Sequence, residues 1–295
     1  MSTRVTDGGR ARHLTPGSFY GEVVRKRSGE GVILSDLRHA GPRKLPQHSH
    51  ELAYFCLLLD GDYEERLGRK TVSYKPLTIM FHPPGTAHHD EIGNRGGHFF
   101  SVEVGGRWLD LMREYVPAPR SSFDLSGGDL VWLGVRMYRE FRAADAASRL
   151  AVQGLLLEML AASARGAGAA ESREPAWLSR ATEFLHAEFR SNLTVGQIAR
   201  QVGVHPCHLT RVFRQFKRRG VGEYVHRLRV QFACRHLANR DVSLADLALA
   251  AGFSDQSHFN RVFKQLTGMT PGAFRRQLTP PATQSSCPQA GLHVR

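Results

Sequence analysis

The chain has 295 residues and a mass of 32.9 kDa, enough for about two domains of ~150 residues, each with its own core. Its composition, 41% apolar and 23% charged, is that of a globular protein, and no stretch approaches the ~18 uncharged apolar residues of a membrane helix, which excludes an integral membrane protein. The net charge of +13 is uneven, because residues 173–276 contain 17 basic and 7 acidic residues, and this excess favours a polyanionic partner such as nucleic acid.

The sequence also limits the compartment and the chemistry. The first residues are charged, but no apolar segment with a small-residue cleavage site follows them, so we expect a cytoplasmic protein without a membrane partner. Cys56, Cys207, Cys234 and Cys287 form no CxxC pair, which favours reduced thiols over disulfides or a zinc finger. The sequence contains no Ser/His/Asp set, P-loop or dinucleotide fingerprint.

The N-terminal half changes from a strand pattern to a helix pattern. Residues 1–18 show no periodicity and are predicted to form a flexible arm. Residues 19–105 contain short apolar runs separated by Gly, Pro, Asp and Asn, which is typical of a small antiparallel β-barrel or sandwich. Residues 106–165 have the apolar spacing of helices. Their apolar seam consists of Leu150, Leu155, Leu156 and Met159. This seam either packs on the barrel or pairs with a second copy of the chain.

Histidines cluster at two places in the strand-rich half. His48 and His50 form an HxH pair, and Pro83, Gly85 and His88 form a PxGxxH motif. Together they resemble the two halves of a cupin metal site, which implies a cupin-like barrel in which three histidines on neighbouring strands converge. The glutamate that follows the HxH pair in metal cupins is missing here.

Three interpretations of these histidines remain open: a metal-free pocket for an effector, a transition-metal site, and side chains that only satisfy buried hydrogen bonds. Aromatic Tyr54 and Phe55 stand where a fourth metal ligand is needed, and Glu51 lies on the opposite side of the strand. We therefore favour a pocket for a small-molecule effector, without a metal or other cofactor. Its predicted lining, polar histidines with an apolar wall, consists of His48, His50, Tyr54, Phe81 and His88.

The remainder of the chain divides into three segments. Residues 166–174 are small and polar, which predicts a linker between domains. Helical patterns then continue over residues 175–278. Residues 279–295 have no periodic face and are predicted to be disordered.

The helical region contains the same pattern twice. Residues 193–216 read LTVGQIARQVGVHPCHLTRVFRQF, and residues 242–266 read VSLADLALAAGFSDQSHFNRVFKQL. In each copy an apolar helix face is followed by a glycine, Gly203 or Gly252, and then by a second apolar helix face. The second copy is one residue longer. This is the pattern of a helix-turn-helix motif, whose second helix can lie in a major groove of DNA.

A connector is predicted between the two motifs. Residues 221–240 carry apolar side chains at helical spacing. A rigid connector would let the two second helices enter successive major grooves, about 34 Å apart along one face of the duplex. The alternative is a helical bundle whose internal similarity is accidental, and a duplicated motif on a strongly basic segment argues against it.

The second copy carries a specific family signature. Residues 252–264 read GFSDQSHFNRVFK, and residues 268–275 read GMTPGAFR. Both stretches resemble the C-terminal signature of the AraC/XylS family of bacterial transcription regulators, and the resemblance extends over residues 176–277. It implies an α+β multidomain protein. The N-terminal part would be a cupin-like antiparallel β-barrel with flanking helices that serve dimerisation, and the C-terminal part an all-α domain of two helix-turn-helix motifs joined by a connector helix.

The resemblance also implies which side chains meet DNA. The predicted base contacts are Cys207, Thr210 and Arg211 in the first motif and Gln256, Ser257, Asn260 and Arg261 in the second. Arginine favours guanine, and glutamine or asparagine favours adenine. For Arg211 and Arg261, phosphate contact or a structural role in the helix stays open. The predicted phosphate contacts, which would set affinity and salt dependence, are Lys217, Arg218, Arg219, Arg229 and Arg275.

The sequence thus predicts a sequence-specific DNA-binding transcription regulator that is not an enzyme. Its expected partners are double-stranded promoter DNA and a small-molecule effector, with RNA polymerase and a second copy of the chain as further candidates. An effector that binds two arrangements of the N-terminal domain unequally would change how the motifs meet a promoter. Two alternatives stay open: a metal-dependent cupin enzyme tethered to nucleic acid, and a non-specific architectural DNA protein.

Overall fold

A computed structural model describes residues 12–115, 122–126, 128–168 and 174–278. The predicted arm is described only from residue 12, and the predicted tail lies outside the described residues, as does most of the predicted linker. The first three residues of that linker, 166–168, belong to the end of a helix. The other domain boundaries stay predictions.

The described residues of the N-terminal part form ten strands, which we call the barrel. The strands are β1 (Arg12–Leu14), β2 (Glu22–Gly29), β3 (Val32–His39), β4 (Arg43–Lys44), β5 (His48–His50), β6 (Ala53–Leu67), β7 (Lys70–Tyr74), β8 (Thr78–His82), β9 (His89–Val104) and β10 (Phe123–Ser126). Eight of them form one antiparallel sheet in the order β10-β8-β6-β9-β3-β2, with β4 paired to β9 and β7 paired to β6. The strands β1 and β5 form a separate parallel pair.

The large sheet has two different buried faces, because successive side chains of a strand point to opposite sides. On β6, Phe55 and Leu57 belong to the core under the helices, whereas Leu58 belongs to a smaller core inside the barrel. On β8, Phe81 and Met80 are divided in the same way. A strand buried on both faces reads as a continuous apolar run, which is what the sequence shows here.

Ten helices surround and follow the barrel in the described parts of the chain. They are α1 (Gly106–Tyr115), α2 (Asp129–Ala143), α3 (Ser148–Gly168), α4 (Ala176–Glu188), α5 (Val195–Val202), α6 (Pro206–Lys217), α7 (Val221–His236), α8 (Leu244–Ala250), α9 (Gln256–Thr267) and α10 (Pro271–Leu278). The predicted α+β class is therefore confirmed. Within the described ranges, no helix combines the length and the apolar character needed to cross a bilayer.

A buried polar network fixes α2 to the barrel. The Asp36 carboxylate of β3 accepts hydrogen bonds from Tyr138 (3.0 Å) and Arg142 (3.2 Å) of α2. The same carboxylate lies 2.8 Å from the His98 ring on β9. Removing one partner of such a network would leave a buried charge without compensation, so the network defines how α2 sits on the sheet.

The apolar seam of α3 packs mainly within its own chain. Leu155, Leu156 and Met159 are buried in the core under the helices, whereas Leu150 is 75% exposed. Three of the four seam residues are therefore buried within one chain, without a second copy.

The two helix-turn-helix motifs have separate cores. The first motif buries its apolar faces together with α4 in a cluster of its own, which includes Leu185, Ile198 and Phe213. The second motif shares one continuous core with α2 and the outer face of the barrel, and Phe259 and Phe263 belong to it. The second motif is thus anchored to the barrel, and the first is attached through α7.

Candidate functional site

The two helix-turn-helix motifs begin and end on equivalent residues. Thr194 caps α5, with its side chain accepting a hydrogen bond from the Gln197 backbone amide, and Ser243 caps α8 in the same manner. Gly203 ends α5 with φ +75°, a left-handed conformation that glycine adopts without strain. The corresponding Gly252 has φ +89°, and a Cβ there would lie 2.4 Å from a backbone oxygen.

The extra residue of the second motif lies in its turn. In the first motif, His205 caps α6 by accepting from the Cys207 backbone amide at 3.3 Å. In the second motif, Asp255 caps α9 by accepting from the His258 amide at 2.7 Å. These caps place α6 and α9 in the same register, so Cys207, Thr210 and Arg211 correspond to Ser257, Asn260 and Arg261.

The residues predicted to read bases share the open faces of α6 and α9. Cys207, Arg211, Gln256, Ser257 and Arg261 are exposed, and Thr210 and Asn260 are partly buried. The opposite faces hold apolar side chains that are almost fully buried, namely Leu209, Val212, Phe213, Phe259, Val262 and Phe263. Each helix therefore presents a polar face outward, as a helix that enters a DNA groove must do.

The residues predicted to bind phosphates have partners within the chain, with one exception among those that the structure describes. Arg218 is exposed, and no partner is seen for it in the described parts. Lys217 pairs with Glu174 at 2.9 Å. The Arg275 guanidinium donates to the carbonyls of Leu237 (3.0 Å) and Val242 (2.9 Å).

Arg229 of α7 contacts both motifs. Its guanidinium donates to the carbonyl oxygens of Phe189 (2.7 Å) and Ser191 (2.9 Å), which lie just before the first motif. It also lies 5.7 Å from the ring centroid of Phe253 in the turn of the second motif. α7 thus acts as the connector that the sequence predicts, with a defined contact to each motif.

One acidic residue of α2 holds two arginines of the helical domain. The Asp129 carboxylate forms ion pairs with Arg219 at 2.6 Å and with Arg227 at 2.9 Å. The arginine side chains are only 10% and 15% exposed. In addition, Arg139 of α2 donates to the Gly268 carbonyl at 3.0 Å. The N-terminal part and the helical domain therefore meet through charged contacts as well as through the shared core.

Inside the barrel, the structure brings together most of the predicted effector residues. His48, His50, Tyr54 and His88 line one cavity of about 40 Å³. Phe81 does not, and this prediction is corrected: its side chain points to the other face of β8, where it packs 4.9 Å from the Phe55 ring. The reason is strand alternation, which turns Phe81 away from the cavity.

Two further residues of the histidine cluster are absent from the sequence-based set. His82 lies on β8 one residue beyond Phe81 and faces the interior, and Glu65 lies on β6 with its carboxylate 3.3 Å from the His82 ring. The ligand atoms of His48, His50 and His88 lie within 4.8 Å of one another, as do those of Glu65, His82 and His88. The alternation of β8 was the available signal for His82, whereas nothing local indicated Glu65.

Burial makes the histidines of this cavity weak bases. It lowers the pKa of His50 to about 3, with further lowering by the neighbouring His88 and His48. Burial also lowers the pKa of His48 and, well below its usual range, that of His82. These three rings are therefore neutral at pH 7, so each offers a nitrogen lone pair to a ligand.

Comparisons with known proteins relate the helical domain to transcription regulators. A family described as "Helix-turn-helix domain" matches residues 198–277. The probable transcription factor PqrA of Proteus vulgaris is 37% identical over 103 residues, which are 34% of this chain and 84% of PqrA. The Msm operon regulatory protein of Streptococcus mutans is 27% identical over 107 residues, but these span only 38% of its length.

Solved structures give similar matches. An AraC-type regulator from Chromobacterium violaceum is 30% identical, with a TM-score of 0.34, over 36% of this chain and 94% of that chain. ToxT from Vibrio cholerae O395 is 10% identical, with a TM-score of 0.35, over 84% of this chain and 98% of that chain. The duplicated motif, the signature in its second copy and the PqrA match together show that the chain belongs to the AraC/XylS family of DNA-binding transcription regulators.

Proposed function

We propose that α6 and α9 read promoter DNA by entering successive major grooves on one face of the duplex. The base-reading residues are Cys207, Thr210 and Arg211 on α6 and Gln256, Ser257, Asn260 and Arg261 on α9. The observation that carries this proposal is the matched register of the two helices, which exposes the same polar positions in both motifs. A duplicated polar face on a strongly basic segment suits two neighbouring half-sites of DNA.

The proposed phosphate contacts are Lys217, Arg218, Arg219, Arg229 and Arg275. Arg218 is exposed, whereas the other four are partly buried, and Lys217 must leave Glu174 before it can bind a phosphate. Arg219 must leave Asp129 before it can bind a phosphate. Arg229 and Arg275 already donate to backbone carbonyls, so each must share or give up these hydrogen bonds to bind a phosphate.

We further propose that an effector in the barrel controls DNA binding. The barrel contacts the DNA-binding side through the shared core, through Asp129 and through the Arg139–Gly268 hydrogen bond. A small ligand that binds two arrangements of the barrel unequally therefore shifts the presentation of α6 and α9. A second copy of the chain and RNA polymerase are further proposed partners at the promoter.

Members of this family are in general not enzymes, and we propose that this chain acts as a regulator only. One relative, AdaA of Bacillus subtilis, is 30% identical over 100 residues and is named a bifunctional transcriptional activator and DNA repair enzyme. That match covers 34% of this chain and 47% of AdaA.

The test is genome-wide mapping of bound fragments followed by competition binding. At fixed salt, the mapped sites should compete about 10³-fold or more better than bulk DNA. Equal competition by bulk DNA would refute sequence-specific reading and would indicate an architectural DNA protein instead. The isolated segment 175–278 serves as the comparison for effector control, because identical DNA binding by it and by the full chain under all conditions would refute that control.

A further inference from the structure

The histidine cavity of the barrel has the features of a site for a cation. Its lining includes His48, His50, His82 and His88, whose ring nitrogens can donate an electron pair to a metal, and the Glu65 carboxylate adjoins it at His82. All five side chains are buried. Buried clusters of this kind need partners for every polar atom, so the hydrogen bonds of each ring decide what the cavity can accept.

Two of the rings are held so that Nε2, and not Nδ1, carries the lone pair. The Nδ1 atom of His48 lies 2.9 Å from the Pro46 carbonyl oxygen, and that of His88 lies 3.0 Å from the Thr86 carbonyl oxygen. A carbonyl oxygen can only accept, so both Nδ1 atoms carry a proton. A backbone carbonyl on the second ring nitrogen is also the usual support of a metal-binding histidine.

The lone pairs face other acceptors. The Asp90 carboxylate lies 3.6 Å from Nε2 of His48 and 3.9 Å from Nε2 of His88. The Tyr54 hydroxyl supplies one proton, which it donates to Nε2 of His88 at 3.2 Å. Nδ1 of His50 is buried and has no hydrogen-bond partner among the described residues. The Tyr63 hydroxyl donates to Oδ1 of Asp90 at 2.9 Å. With both hydroxyl protons counted, the two Nε2 lone pairs and the Asp90 carboxylate still outnumber the donors, and a cation would satisfy the excess.

The size and the donor set of the cavity identify the class of cation. A volume of about 40 Å³ accommodates an ion with one or two waters but is too small for a metabolite. Magnesium and calcium prefer oxygen ligands, whereas imidazole nitrogens select divalent ions such as Zn²⁺, Co²⁺ and Ni²⁺. Three histidines with a carboxylate nearby match the ligand preference of these transition-metal ions.

β8 joins this cavity to the DNA-binding side. His82 projects from β8 into the cavity, while Phe81 projects from the other face into the core shared with the second motif. Just before β8, the Pro76 carbonyl accepts a hydrogen bond from Arg235 of the connector helix α7 at 3.2 Å. A displacement of β8 is thus transmitted to α7 by direct contact.

We propose that the barrel binds one divalent first-row transition-metal ion through His48, His50 and His88, with Glu65 and His82 as the adjacent donors. We further propose that this ion is the effector, a step that rests on the function proposed above. The metal would draw His88 and the Glu65–His82 pair together and thereby change the position of β8 under α7.

The first experiment measures metal binding alone. Full-length protein, stripped with a chelator, is titrated with Co²⁺ and followed by its visible absorption, and then with Zn²⁺ in competition. One equivalent of Co²⁺ should bind and be displaced by Zn²⁺, whereas millimolar Mg²⁺ should not compete. Absence of a stoichiometric Co²⁺ signal in the wild-type protein would overturn the site, whatever the variants do.

Variants then locate the ion. His50→Ala and His88→Ala should each weaken Co²⁺ binding at least tenfold, and His50→Gln provides a second test at nearly conserved volume. His89→Ala is the matched control, because His89 follows His88 directly but is not one of the clustered donors. Circular dichroism checks that each variant is folded. Equal Co²⁺ binding by folded His50→Ala, His50→Gln and wild type would overturn the assignment of the ligands.

The last measurement separates the site from its regulatory role. Fluorescence anisotropy on a mapped DNA site, with and without Zn²⁺, should show a change in affinity of about fivefold or more in the wild type and none in His50→Ala. Metal binding without any change in DNA affinity would overturn the effector role and leave the site standing. Loss of specific DNA binding in both metal states would instead refute the proposed function, and the Co²⁺ result would remain valid.

Discussion

The Asp129 ion pairs allow a direct test of how the barrel restrains the DNA-binding side. Asp129→Asn removes the charge that holds Arg219 and Arg227, at distances of 2.6 Å and 2.9 Å. The Asp129 side chain is 51% exposed, so each ion pair should contribute about 0.2–1 kcal/mol, as is typical of exposed pairs. Together they contribute about 0.5–2 kcal/mol to docking, which corresponds to a factor of about 2 to 30 in an equilibrium constant.

We expect the variant to bind DNA more tightly by up to that factor. The docked arrangement neutralises two positive charges and places a carboxylate beside them, and both effects oppose the approach of phosphates. Release of the arginines should also steepen the dependence of log K on log salt by about 0.9 for each new phosphate contact. Fluorescence anisotropy on a mapped site over a range of salt concentrations measures both quantities.

A control separates this contact from the general effect of one negative charge. Glu158→Gln removes the same charge from α3, where Glu158 pairs with Arg136 at 3.8 Å within the N-terminal part. Its effect on DNA affinity should be within about twofold of the wild type, since exposed charges beyond a Debye length are screened. If Asp129→Asn binds DNA no more tightly than Glu158→Gln, the ion pairs do not restrain DNA binding.

Three further predictions follow from particular contacts. Arg261→Ala should cost about 1–3 kcal/mol at one base pair of the site, whereas Lys217→Ala should weaken all sequences alike and reduce the salt slope by about 1, as binding to single-base variants of the site would show. Equal losses on every sequence for Arg261→Ala would assign that residue to a phosphate. Gly252→Ala should lower the free energy of unfolding, measured by urea titration, by more than about 1 kcal/mol, because φ is +89° and the new Cβ would meet a backbone oxygen at 2.4 Å. Gly222→Ala is the control, because nothing lies within 4 Å of its new Cβ, and it should not destabilise the protein in the same titration. Burial raises the pKa of Glu103 to about 7, above its unfolded value of 4.5, so this carboxyl favours the folded state below pH 4.5 and loses that contribution as the pH rises to 7. Relative to wild type, Glu103→Gln should therefore become more stable by about 3 kcal/mol between pH 4.5 and pH 7, and a constant difference across this range would contradict the raised pKa.

The duplicated motif could be read in detail from the sequence. Gly203 and Gly252 indicated the turns, and apolar spacing indicated which faces of α6 and α9 are buried. These signals depend on residues only a few positions apart, because caps, turns and helix faces are set by local hydrogen bonds and the helical period. The exposed polar positions follow from the buried ones, since the two faces of a helix exclude each other.

The barrel interior could be predicted only in part. The HxH pair and His88 came from motifs, but Glu65 lies in the part of β6 that pairs with β7 and β9 and reaches His82 of β8 only through the folding of the sheet. The choice of Phe81 failed because the sequence alone did not establish which face of β8 points inward. A shift of one residue exchanges the two faces of a strand, so the contents of a cavity depend on register.

The attachment of the N-terminal part to the helical domain was also beyond the sequence. Asp129 has no local feature that indicates Arg219 as its partner, and the two residues meet only after α2 and the helical domain have packed. Periodicity and capping within short segments thus sufficed to predict the two helix-turn-helix motifs and the family. The histidine cavity and the packing of the N-terminal part on the helical domain arise from contacts between residues distant in the chain. Only the packing of whole elements brings such residues within bonding distance.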